Sequence, residues 1–156
     1  MIKIKSLLSM TAVAVCLNIA PVLAAPSSSY SETPSASKEL TKAKKAINAK
    51  DFAKAYSLLT KAVKSSPKDA DIHNLLGYSA RKMGQYDQSE EHYTRALDLD
   101  PKHKGALEYM GELYLTLNQL DKAEALQARL DDVCWLGCDE LDELNAAIAD
   151  YKANNS

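Results

Sequence analysis

Apolar residues return along this chain at the spacing of an α-helix, and the helical stretches come in pairs. In residues 86–98, Tyr86, Tyr93, Ala96 and Leu97 fall on one stripe, because steps of three, four and seven residues bring side chains back to the same helix face. Reading the rest of the chain this way predicts arms near 36–49 and 52–65, 69–83 and 86–98, then 103–117 and 120–133. A seventh helix follows near 139–153, with Leu141, Leu144, Ile148 and Tyr151 on one face and Asp142, Glu143, Asp150 and Lys152 elsewhere. Short polar turns join the arms within each pair. Gly84 and Asn118 stand in two of them and suit the left-handed conformation that ends a helix.

The pairs repeat. The middle one carries Leu76-Gly77, Gly84, Tyr86, Tyr93, Ala96-Leu97 and Pro101, and shifting by 34 residues in either direction finds related residues in register. The earlier copy keeps Phe52, Ala55, Leu59, Ala62-Val63 and Pro67; the later keeps Leu107, Met110-Gly111, Tyr114, Leu120 and Ala123 before departing at Gln127, Leu130 and Trp135. Small residues at Gly77 and Ala96 let two helices approach, Tyr86 and Tyr93 are expected to fill the gaps beside them, and Pro101 stops a helix. Over roughly residues 36–135 the pattern resembles the tetratricopeptide repeat family. It departs at His73, where the family usually has an aromatic, and at Ser89, where Ala is usual. The resemblance implies an all-α, helical-hairpin repeat solenoid, with three repeats over 38–138 and a capping helix and tail over 139–156.

The first residues follow other rules. A basic start with Lys3 and Lys5, an apolar run from Leu7 to Ala20 and the small-residue pattern Val22-Leu23-Ala24 predict a secretory signal peptide over residues 1–24, cut after Ala24. The run is shorter than the roughly 20 residues of a spanning helix, so no stable membrane insertion is expected after cleavage. Val15 before Cys16 argues against a lipidated cysteine. Residues 25–37, rich in Ser and Pro, read as a disordered tether. Cleavage would remove two lysines from 19 basic residues and leave 17 against 21 acidic, a balance that disfavours nucleic acid. The expected compartment is the periplasm or the exterior.

Candidate chemistry is sparse. Cys134 and Cys138 would be the two cysteines left after cleavage, and in an oxidising compartment such a pair reads first as a disulfide fixing the last helix to the array. So short a ring gains only about 2 kcal/mol. A thiol oxidoreductase normally has a two-residue spacer in a strand-helix-strand fold, and a Cu(I) site would use the two thiolates; both stay as alternatives in which the pair serves redox or copper handling. His73, His92 and His103 fall on three predicted helices at unlike repeat positions and read as structural. No Ser-His-Asp set, metal-ligand spacing or phosphate loop is present, so neither an enzyme nor a cofactor is expected.

The resemblance places function in the groove lined by the first arm of each hairpin, where the family grips a peptide or a partner helix. Mapped by register, that groove takes Lys44 from the first repeat, Asn74, Tyr78 and Arg81 from the second, and Glu108 and Glu112 from the third. The two glutamates stand where a clamp for a C-terminal carboxylate would need cations. The groove therefore reads as basic at its start and acidic at its end, suited to a partner segment with the opposite charge order. The expectation is a non-enzymatic interaction scaffold, itself monomeric or weakly self-associating, with a protein or peptide partner.

Overall fold

The computed structural model describes residues 34–155 and resolves seven helices there: α1 (Pro34–Asn48), α2 (Phe52–Ser65), α3 (Ala70–Lys82), α4 (Tyr86–Leu99), α5 (Lys104–Thr116), α6 (Leu120–Val133) and α7 (Asp139–Asn154). They match the predicted arms closely. The leader and residues 25–33 of the expected tether lie outside the described residues. Residues 34–37, assigned to that tether by their composition, are instead helical, and Ala36 is buried. A proline is tolerated in a first turn, where its missing N–H has no intrahelical acceptor to lose, so Pro34 does not keep the helix from starting early.

Each hairpin closes through local chemistry. Asp51 and Asp69 cap α2 and α3 by accepting from the N–H groups of Lys54 and Ile72, which satisfies donors that a helix start leaves open. His103 does the same for α5, its Nδ1 accepting from Ala106 N–H at 3.1 Å while its Nε2 lies 2.9 Å from Asp71. The three intra-hairpin turns each use one left-handed residue at one repeat position, Lys50 (φ 58°), Gly84 (φ 75°) and Asn118 (φ 57°). Lys50 is the costly choice of the three, because its Cβ crowds the backbone there.

Successive hairpins stack, α2 on α3 and α4 on α5, and α7 packs against α5 and α6 as a further layer. Gly77 sits against Tyr93: a Cβ at Gly77 would lie 2.6 Å from the ring, and Tyr93 is fully buried. One repeat later, Gly111 is covered by Leu144 of α7, again at 2.6 Å from a would-be Cβ. The sequence has Gln127 where Tyr93 stood, so the filler comes from the capping helix instead. Tyr86, expected to fill a gap, is 36% exposed; Tyr93 alone seals that contact. Buried apolar residues form two clusters, a smaller one from Leu40 to Leu76 and a larger one from Tyr93 to Ile148.

Candidate functional site

Steps of four and three residues put Asn74, Tyr78 and Arg81 on one face of α3, and stacking brings Glu108, Tyr109 and Glu112 of α5 opposite. Aromatic rings run across the hairpin stack. Phe52 meets Tyr78 edge-on at 6.0 Å, and Tyr78 meets Tyr109 at 5.0 Å. The Arg81 guanidinium lies 5.7 Å and 5.9 Å from the Tyr78 and Tyr109 ring centres, and the Lys82 ammonium 5.4 Å from Tyr78. Such placements attract a cation to the ring quadrupole. Two cations and three rings thus share one surface.

The charges on this face are already committed to one another. Arg81, whose side chain is only 10% exposed, forms an ion pair with Glu112. Burial alone would weaken its charge, but Tyr93 and Glu112 hold it positive. The Tyr93 hydroxyl lies beside the guanidinium without a well-formed hydrogen bond, and burial pushes this phenol up. Glu108 is 2% exposed, with Oε1 unpartnered. Burial first, and then the Glu143 carboxyl of α7, push its pKa up to about 9, so it is neutral at physiological pH. Tyr109 is pushed up to about 12, again chiefly by burial. Of the two glutamates expected to make this end of the groove acidic, Glu112 is paired with Arg81 and Glu108 holds a proton, while Glu143 and Glu140 of α7 bring further carboxylates toward Glu108.

The structure gathers Tyr78, Arg81 and Glu112 into one contact network and places Glu108 beside Tyr109. Asn74 is buried, its amide nitrogen packed 3.1 Å from the position a Cβ on Gly105 would take and its Oδ1 unpartnered. Lys44 is exposed on α1 and acts at a distance on Asp71, outside this network. Tyr109 was not foreseen, because its counterpart 34 residues earlier is Leu75 and the repeat register gives no hint of an aromatic there. His73 and His92 occupy unlike repeat positions, yet α3 and α4 bring their rings to a separation of 5.7 Å. His73 Nε2 donates to the Pro67 carbonyl and His92 Nε2 pairs with the Tyr56 hydroxyl, each at 3.1 Å, which ties the first hairpin to the second. Cys134 and Cys138 have Cα atoms 5.6 Å apart, the separation a disulfide requires.

Tetratricopeptide repeat models match residues 70–103, the whole middle hairpin, and residues 92–125, from within α4 through α5 into α6. Among solved structures the chain is similar to the Sgt2 tetratricopeptide domain of Aspergillus fumigatus, at 21% identity and a TM-score of 0.71, over 82% of this chain and 87% of that one. It is also similar to the first such domain of Spaghetti (RPAP3) bound to an HSP90 peptide, at 17% identity and a TM-score of 0.67, over 76% of this chain and 94% of that one. A third is the Yersinia enterocolitica type III secretion chaperone SycD in complex with a peptide of the translocator YopD, at 17% identity and a TM-score of 0.66, over 77% and 94%. At these identities the structures speak for the fold. The chain therefore carries tetratricopeptide repeats over residues 70–125, with the α1–α2 hairpin stacked before them and the end of α6 and α7 after them.

Proposed function

We infer that the protein is a non-enzymatic interaction module that holds a peptide or helical segment of a partner against the Tyr78–Tyr109 face, in an exported compartment. The observation that carries this reading is the run of rings from Phe52 through Tyr78 to Tyr109 with Arg81 and Lys82 lying over them. Aromatic and arginine side chains are the types that dominate measured interfaces, since they offer area and directional contacts at little entropic cost. Two of the similar structures, SycD and the Spaghetti domain, hold peptides, which supports the same use of the scaffold here. With Arg81 paired to Glu112 and Glu108 protonated, the face favours apolar and aromatic partner residues over a segment with the opposite charge order.

The test begins with affinity capture from the native compartment and mass spectrometry of what is retained, followed by calorimetric titration of the purified partner. Tyr78→Ala should weaken binding by about 1 kcal/mol or more while keeping the helical fold, and should also lower melting because the ring packs against Phe52 and Tyr109. Arg81→Ala should weaken binding similarly and also lower stability by about 2 kcal/mol, because it strands Glu112 without its cation. Unchanged affinity in both variants moves the site elsewhere. Export is tested by intact mass: the native protein should begin at Ala25 and carry no free thiol. Retained residues 1–24 would overturn the export reading, while free or metal-bound thiols would favour redox or copper handling by Cys134 and Cys138.

A further inference from the structure

Trp135 and Leu136 are 80% and 79% exposed, against 36% for Tyr86, the other exposed large apolar side chain among the described residues. Exposing the only tryptophan of the chain this fully leaves a large apolar area in water, and contiguous exposed apolar groups mark contact surfaces. The backbone holds them outward. Cys134 is buried, Gly137 takes a left-handed φ of 85°, and its N–H donates back to the Cys134 carbonyl, so the loop between α6 and α7 is a tight turn with two apolar side chains at its tip. Asp131, Asp132 and Asp139, all exposed, flank it in sequence.

The opposite end of the array carries the complement. A cavity of about 450 Å³ opens between α1 and α2, lined by apolar Ala46, Ala49 and Leu58 and by the basic side chains of Lys42, Lys45 and Lys54. Asp51, the cap of α2, closes one side, and Lys42 also pairs with Glu39. Every lining residue belongs to the first hairpin or its turn. The volume lies within the roughly 300–1,000 Å³ of pockets that take ligand-sized groups. An apolar knob flanked by acids and an apolar socket rimmed by lysines thus sit at opposite ends of one chain.

We propose that the Trp135–Leu136 tip of one copy docks in the Lys42–Lys45–Lys54 socket of a second copy, head to tail. Such a contact joins unlike surfaces, so it does not close into a dimer but extends into short open chains. It buries few side chains and is correspondingly weak. An anionic membrane is a poor occupant for the tip, because the flanking carboxylates repel it. Opposed charges make the self-contact salt-sensitive.

Sedimentation of the purified protein from about 10 µM to about 1 mM should show a weight-average mass that rises continuously, by about twofold or more, and falls back when salt is raised to about 0.5 M. Trp135 reports the event directly: its emission should shift to the blue over the same concentration range. Trp135→Ala with Leu136→Ala should abolish association, and so should Lys45→Glu with Lys54→Glu, with helicity unchanged in both. Mixing the two double variants should restore a one-to-one complex and nothing larger, because each retains one working surface. A constant monomer mass, association indifferent to either pair of substitutions, or a mixture that stays monomeric would each overturn the proposal. So would a blue shift of the monomer on vesicles of phosphatidylcholine and phosphatidylglycerol, which assigns the tip to a membrane.

Discussion

Glu108 is an acid held where its charge is unwelcome, and this makes stability depend on pH in an unusual direction. Its folded pKa of about 9 lies above the ordinary carboxyl value, so folded and unfolded chains both hold the proton in acid, where its contribution is fully present. As pH rises the unfolded chain releases its proton first, and the contribution is lost progressively until about pH 9. Glu108→Gln keeps a neutral, hydrogen-bonding side chain of the same shape. It should raise the melting temperature by several degrees at about pH 8 and leave it nearly unchanged at about pH 4, as read by thermal circular dichroism. Much at this scale was legible: Gly77 and Tyr93 were read as a small residue and its filler, because the repeat encodes that close approach within itself. The sequence places Glu108 as a charge at the acidic end of the groove and does not show its burial, because α7, a helix outside the 34-residue register, packs against α5 there. Tyr109 was missed for a related reason, since it has an aliphatic counterpart in the preceding repeat.

At the scale of helices, the two buried glycines face different partners and should respond differently to the same change. Gly77→Ala drives a methyl group into a fully buried tyrosine ring wedged beside Arg81, with nowhere to retreat. Gly111→Ala presses on Leu144, whose flexible side chain sits on the terminal helix. Overpacking of this kind costs about 1–3 kcal/mol, and Gly77→Ala should fall at the upper end with Gly111→Ala at the lower, measured by urea denaturation. Helix limits were readable because stripes, caps and turn residues agree on them. The start of α1 was not, since Ser and Pro near residues 34–37 carry the composition of a linker while their place next to an amphipathic stretch carries them into a helix. Lys50 likewise hid its left-handed backbone, which only its position 34 residues before Gly84 betrays.

Across the whole molecule, α7 does two things that the fold needs: it covers the apolar flank of the last hairpin through Leu141, Leu144 and Ile148, and it faces Glu108 with Glu143. The turn at Cys134 and Cys138 joins it to α6. Cys138→Ser should lower stability by up to about 2 kcal/mol while retaining partner binding, and a reductant should lower the unmodified protein to the same level without further affecting the variant. Lost binding with an intact fold would make the cysteines functional. Repeat architecture was legible as a whole because every hairpin restates it, whereas the uneven division of the core was not. One cluster holds six buried residues from Leu40 to Leu76, and the other sixteen from Tyr93 to Ile148. In time this imbalance becomes an order of events: synthesis releases the first hairpin before the rest, yet it has too little to bury alone and must wait. The chain is made from its N-terminus and should consolidate from its C-terminal half backwards, the α1–α2 hairpin being the last to settle.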